Sequence, residues 1–433
     1  MFNKVKLILS NREIVLKIII TFALLLVFKA GTYIEIPLVH TDEIKGMLAE
    51  SGNFTDVLNA FSGGGLANFS VLALGISPYI TSSIVVQMLG MIIPKLKEYQ
   101  EQGEAGKQKL NRITRYVTIV ISMIQALLII FSLGGESPIN VLDNRLIAYG
   151  DFYWVFYIYM ALVITAGSAF TMWLADLITR HGIGNGSSMI IAAGIISSIP
   201  SMFDTLASKY LGAAFSGLNL FYYIIVVLLY VLMIVGVVYF EGATRRIPVQ
   251  YANRQAGQKG SDIPLKLNSA SVIPVIFAST ITSIPLTIVG LIDQDSAVAQ
   301  WINSIFSTSE PIGIALYVVM IVFFSFFYSF MQVDPDKISN NLEKQGAFIP
   351  GYRPGEETKS QLSKMLFRIT LIGATYLVVL ALVPILVSKI FGFEGTSITI
   401  GGTSLIIIIG VAIETFRQIE TASETKDYKG FLD

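Results

Sequence analysis

The chain has 433 residues, of which 53% are hydrophobic and only 14% charged. That balance excludes an ordinary soluble protein, whose charged share is nearer ~25%. Thirty basic residues cancel thirty acidic ones, there is no cysteine, and the only histidines are His40 and His181. Net charge therefore gives no sign of nucleic acid binding, disulfide and thiolate metal sites are excluded, and no cofactor is expected.

Windows of ~19 residues predict a first apolar span over 18–36. It is not read as a cleaved signal peptide, because it lacks a small-residue cleavage site and nine more spans follow. Residues 55–67 come next, a half-polar, helix-like piece broken by Gly63, Gly64 and Gly65 and too short to cross a bilayer. Irregular backbone near membrane depth is tolerated only where protein buries it or a water-filled cavity adjoins it. A plain extracellular glycine-rich loop is the alternative, and a phosphate loop is excluded because no Gly-Lys-Ser/Thr follows. Further spans are predicted over 69–93, 116–133, 152–174 and 182–203, and then over 218–240, 270–292, 312–331, 366–391 and 398–416.

Lysine and arginine sort these ten spans. One set of connecting segments holds 25 of the 30 basic residues, and the other keeps only Lys45, Arg145, Lys209 and Lys389, with Lys29 in the outer half of the first span. The positive-inside rule makes the rich face cytoplasmic, so both termini are expected there. Two cytoplasmic segments, 241–267 and 332–363, exceed what a connector needs. The first carries Arg245, Arg246, Arg254 and Lys259 among Tyr251 and Gln255; the second carries a rigid basic turn around Arg353, from Gly351 to Gly355. Positive-inside charge and turn chemistry account for single residues, while the two loops together read as a docking surface for a large acidic or RNA-containing partner.

The middles of the spans hold almost no ionisable residue. Lys29 and Glu35 sit toward the outer end of the first, and Asp176 and Glu414 near cytoplasmic ends. Ion-coupled transporters and proton relays need buried charge, and a membrane-embedded enzyme needs paired aspartates, a Ser/His pair or a metal cluster. Both readings lose support, and no catalytic residue is expected. Hydroxyl and amide groups are frequent instead, among them Ser83 and Gln87 in the second span and Thr280 and Thr282 in the seventh; helix packing in lipid is their ordinary role.

The stretch Ala-Leu-Gly-Ile-Ser-Pro-Tyr-Ile-Thr-Ser-Ser-Ile-Val-Val-Gln, Ala73 to Gln87, resembles one signature of the SecY family. Trp-Leu-Ala-Asp-Leu-Ile-Thr-Arg-His-Gly-Ile-Gly-Asn-Gly-Ser-Ser-Met-Ile-Ile, Trp173 to Ile191, is similar to the other. Leu265 to Asn268 with Val272 to Ser279, Gly346 to Gly355, and Gly401 to Leu405 add further matches in family order.

The resemblance implies an all-α membrane protein of ten helices, with two pseudo-inverted five-helix halves, 1–204 and 205–433, around an hourglass pore. It implies a protein-conducting channel of the cytoplasmic membrane that moves signal-bearing polypeptides across and releases apolar segments sideways into lipid. The pore ring falls on Ile80, Ile84, Ser187, Ile191, Ile276 and Ile407; Ser187 is polar where the family pattern is apolar. The plug falls on Thr55, Asp56, Val57, Leu58, Asn59, Ala60, Phe61, Ser62, Gly63, Gly64 and Gly65. The lateral gate lies between the second and third spans and the seventh and eighth, with Ser83, Gln87, Thr280 and Thr282 among its polar residues. Arg245, Arg246, Arg254 and Arg353 take the docking role toward the SecA motor ATPase or the ribosome, and SecE and SecG are the implied companion subunits. A specialised paralogue serving an accessory export route stays open as an alternative, and a secondary transporter remains the more distant one.

Overall fold

In lipid, a backbone must satisfy its own amides, so the apolar stretches fold as helices. The computed structural model of the chain describes residues 11–37, 59, 62–134, 153–211, 217–251, 261–268, 272–289, 296–391 and 401–429. α1 (Arg12–Gly31) opens on Asn11, whose side chain accepts from the Glu13 amide, and turns its apolar Leu16, Ile19, Phe22 and Leu26 outward. α2 (Ser77–Ile92) ends at Ile93, held extended by Pro94 behind it, and the axis turns by 108° into the short polar α3 (Pro94–Glu101). α4 (Glu104–Gly134), α5 (Tyr153–His181) and α6 (Gly186–Leu211) follow, then α7 (Gly217–Gly242).

Beyond a small sheet come α8 (Ile273–Val289), the short amphipathic α9 (Ala297–Phe306), α10 (Pro311–Gln332) and α11 (Pro335–Lys344). The long α12 (Glu356–Phe391) and α13 (Gly401–Lys429) complete the described elements. Among the described residues, α1, α4, α5, α7, α10 and α12 are long and apolar enough to cross a bilayer. The other four expected spans fall on α2, on the shorter apolar stretches Gly186–Pro200 and Ile273–Leu286, and on α13.

Packing follows two series. α4 lies against α2 and α5, and α5 against α1 and α6; α10 lies against α8 and α12, and α13 against α7 and α12. The two series meet where α6 packs on α7 and α13, and again where α8 touches α2 and α4.

Two expectations are corrected. The second span was expected from residue 69, but 69–76 form consecutive turns, with Phe69 and Gly75 at positive φ. These turns are buried against α5 so closely that a Cβ on Gly167 would run into the Val71 carbonyl. The first span stops at Gly31 rather than at 36: Thr32 closes it by donating to the Lys29 carbonyl at 2.7 Å, and Glu35 forms an isolated antiparallel bridge with Ser70. Apolarity alone cannot tell a buried turn from a helix.

The described parts of the two long polar segments, 241–267 and 332–363, are structured and joined. β1 (Thr244–Tyr251) pairs antiparallel with β2 (Ser261–Lys266) and, at its far end, with β3 (Ala347–Phe348), in the order β2-β1-β3. Ile247, Val249 and Leu265 from the strands share one apolar core with Leu342 of α11 and with Leu362 and Ile369 of α12. At ~1.5 Å per residue, α12 is far longer than the ~30 Å hydrocarbon core, so its first turns stand outside the membrane to serve this core.

Candidate functional site

Isoleucines from four helices belong to one apolar cluster: Ile191 of α6 and Ile407 of α13 are each 3% exposed, Ile276 of α8 is buried, and Ile80 of α2 packs against the cluster. The same cluster takes in Phe28 of α1, Tyr317 and Ile321 of α10, and Leu377 of α12. Among the described residues the one buried carboxylate, Glu241, sits at the end of α7, where Asn268 donates to it at 2.7 Å. A narrow neck of branched apolar groups expels water, and hydrated ions with it, whereas a fixed charge would wet it.

Ile84 is also buried but lies in an adjoining cluster with Phe277 of α8 and Phe324 of α10, and Ile80 touches both clusters. Ser187 stands in the first turn of α6, one turn before Ile191, and both its amide and its hydroxyl donate to Asn185 Oδ1, at 3.1 and 2.7 Å. Asn185 caps the helix start, and the hydroxyl serves that cap.

The seam where α2 meets α8 and α10 is apolar and aromatic. Phe277 meets Phe324 edge-on at 5.7 Å and Tyr328 at 6.1 Å, with Met88, Ile273 and Phe327 packed around them. The hydroxyl and amide residues expected at this seam mostly satisfy their own helices. Thr280 donates to the Ile276 carbonyl at 2.8 Å, Thr282 to that of Ala278 at 2.9 Å, and Gln87 to Ser83 at 3.0 Å. The buried Oε1 of Gln87 has no protein partner. The run from Phe323 to Tyr328, which holds five aromatic residues in six, was the signal that the sequence reading passed over.

Of the glycine-rich segment, Thr55, Asp56, Val57, Leu58, Ala60 and Phe61 lie outside the described residues. The remainder is a tight series of turns. Asn59 Oδ1 accepts from the Ala67 amide at 2.9 Å, and the fully buried Ser62 hydroxyl accepts from the Leu66 amide at 3.0 Å. Gly63 and Gly64 have φ of +68° and +88°, which disfavours any side chain.

Arg245 and Arg246 are exposed on β1, opposite Leu265 and Pro264, and Arg254 lies outside the described residues. Arg353 occupies the turn between β3 and α12, flanked by Gly351 and Gly355 at φ +90° and +96°. Its backbone holds the turn: its amide donates to Glu357 at 3.1 Å, its carbonyl accepts from the Thr358 hydroxyl at 2.8 Å, and Ser339 of α11 donates to the Gly355 carbonyl at 2.8 Å. The side chain is thereby left exposed on the body that also carries Arg245 and Arg246.

The family model for SecY matches residues 70–416, most of the chain and nearly all of these elements. The chain belongs to the SecY family. The protein translocase subunit SecY of Staphylococcus epidermidis is 42% identical over 440 residues, spanning 100% of this chain and 99% of the relative. That of Halalkalibacterium halodurans is 41% identical over 442 residues, with both chains covered in full. The fold matches solved structures of the SecY and Sec61 channels at lower identity. One, described as "the structure of a protein conducting channel", is 17% identical with a TM-score of 0.59, and covers 94% of this chain and 92% of that one. Another, concerning "the plug domain of the SecY protein", is 19% identical with a TM-score of 0.63 at the same coverage. Sec61 in the canine ribosome–channel complex is 18% identical with a TM-score of 0.60, again covering 94% and 92%. Family membership agrees with a multi-pass protein of the cytoplasmic membrane that forms a protein translocation channel.

Proposed function

We propose that this chain is the protein-conducting subunit of the cytoplasmic-membrane translocase, passing signal-bearing, unfolded polypeptides across the membrane and releasing apolar segments laterally into lipid. The observation that carries the reading is the apolar cluster that takes in Ile80, Ile191, Ile276 and Ile407 from four helices, in a chain that matches translocase subunits along its whole length; we read these isoleucines as the neck of the pore. In this reading the chain has ten spans with both termini cytoplasmic, and the halves are 1–204 and 205–433. The neck with Ile84 is the pore ring, and Ser187 supports the helix that presents Ile191. The segment 55–65 is the plug. The seam of Ile84, Phe277 and Phe324 is the lateral gate, flanked by Ser83, Gln87, Thr280 and Thr282.

A closed neck is dry because no side chain there can replace an ion's hydration. A signal's apolar helix that parts the seam exchanges aqueous contact for lipid, which is favourable by hydrophobic transfer. In this reading the chain supplies the path and the sorting choice, and the work of translocation comes from a partner. Arg245, Arg246, Arg254 and Arg353 would engage the SecA motor ATPase or the ribosome, a role supported by ribosome-bound channel complexes among the fold neighbours. SecE and SecG complete the proposed assembly.

The chain has no cysteine, so single cysteines report position cleanly. A cysteine-bearing precursor arrested in transit should form disulfides with Ile191→Cys and Ile276→Cys but not with Leu228→Cys, which lies 62% exposed on α7. Equal crosslinking at all three would refute the pore.

A further inference from the structure

The glycine turn at 63–65 meets a cation at the end of α1. Lys29, in the last turn of α1, donates from Nζ to the Gly63 carbonyl at 2.8 Å and to Ser197 Oγ of α6 at 3.0 Å. Ser197 Oγ lies 3.5 Å from the same carbonyl and 2.7 Å from the carbonyl of Gly194. A hydroxyl has one proton, and the shorter contact takes it; Ser197 therefore accepts from Lys29, and the Gly63 carbonyl is served by the ammonium. Gly63 also sits close to α6 and α1, since a Cβ there would stand 3.1 Å from Gly194 Cα and 3.2 Å from the Phe28 ring. One carbonyl thus ties the glycine turn to α1 and α6.

An ammonium in the last turn of a membrane helix has two plain roles, favourable interaction with the C-terminal dipole of its helix and a reach toward the nearer surface. Neither calls for Ser197 or for a contact with the turn. We infer that Lys29 is a positioning residue that latches the glycine turn shut through the Gly63 carbonyl, with Ser197 aiming the ammonium, and that this bond breaks when the channel opens. The inference rests on the plug reading of 55–65.

The test uses the full complex with SecE and SecG in sealed vesicles, reading resting halide permeability and transport of a precursor with a defective signal. Lys29→Met should raise resting permeability about ten-fold, the factor carried by loss of one charge-assisted bond. It should also relax the signal requirement, and Lys29→Arg should restore most of both. Ser197→Ala should give a smaller rise, about two- to three-fold, and add little to Lys29→Met, because both act on one carbonyl. Deletion of 55–65 serves as the reference. If the deletion raises permeability while Lys29→Met and Ser197→Ala do not, the latch is wrong. If the deletion also changes nothing, the plug reading itself is wrong. Should Lys29→Met fail to accumulate, Ser197→Ala decides alone, and wild-type permeability in that variant overturns the latch.

Discussion

Ile191→Asn tests the seal most sharply. Ile191 is 3% exposed and belongs to the large apolar cluster that also takes in residues of α8 and α13. An amide placed there enters a largely hydrocarbon environment, and a buried polar group without a hydrogen bond costs about 1–3 kcal/mol by protein mutational data. Taking ~2.8 kcal/mol, and a factor of ten for each ~1.4 kcal/mol, the ratio of dry to hydrated neck falls about 100-fold. Ile191→Leu conserves volume and apolarity, so it should cost less than ~1.5 kcal/mol and remain near wild type. The assay is halide efflux from vesicles holding the resting complex, with a melting measurement on each variant to show that it is folded. Fast efflux is expected for Asn and slow efflux for Leu. A folded Asn variant that leaks within two-fold of wild type would refute the argument that an apolar neck makes the seal.

Arg353→Glu leaves the backbone bonds of its turn in place. It should therefore insert into the membrane normally yet slow motor-driven translocation about ten-fold or more; normal secretion by this variant would contradict the docking role. Ile247→Ala removes a buried side chain from the core shared by β1, α11 and α12, a loss of about 2–5 kcal/mol. It should expose both cytoplasmic segments to limited proteolysis together, and unchanged protection at 332–363 would show that they do not share a core. Phe324→Ala opens a gap in the seam beside Ile84. It should lower the hydrophobicity required for lateral insertion by at least one leucine, about 0.5 kcal/mol, measured with a graded series of test segments; an unmoved threshold would count against the gate.

The membrane-helical character of the fold was legible because the apolar windows are long, repeated and almost free of charge. Helix ends were less so. Residues 69–76 are as apolar as a span, yet the left-handed Phe69 and Gly75 and the close face of Gly167 turn them into packed coils, which a window average cannot register. The sheet was readable in principle: Ile247 and Val249 alternate with exposed Pro248 and Gln250, a period of two, but the weight of basic residues around them drew the reading toward a loop. Asp334 before Pro335 likewise announces α11, capping it through two backbone amides. Ser187 was placed in the ring by motif position, and the structure shows why a serine suits that site: Asn185 begins a helix there and takes the hydroxyl's proton. The pairing of β1 with β3 joins residues about a hundred positions apart, and no local pattern specifies that.

The central claim is tested most directly in vesicles holding this chain with SecE and SecG, supplied with SecA outside and a radiolabelled secretory precursor. The account predicts that the precursor becomes protease-protected only when ATP, an intact signal sequence and this chain are all present. No protection, with a motor shown to be active on another channel, would contradict it and move the assignment to a specialised accessory route.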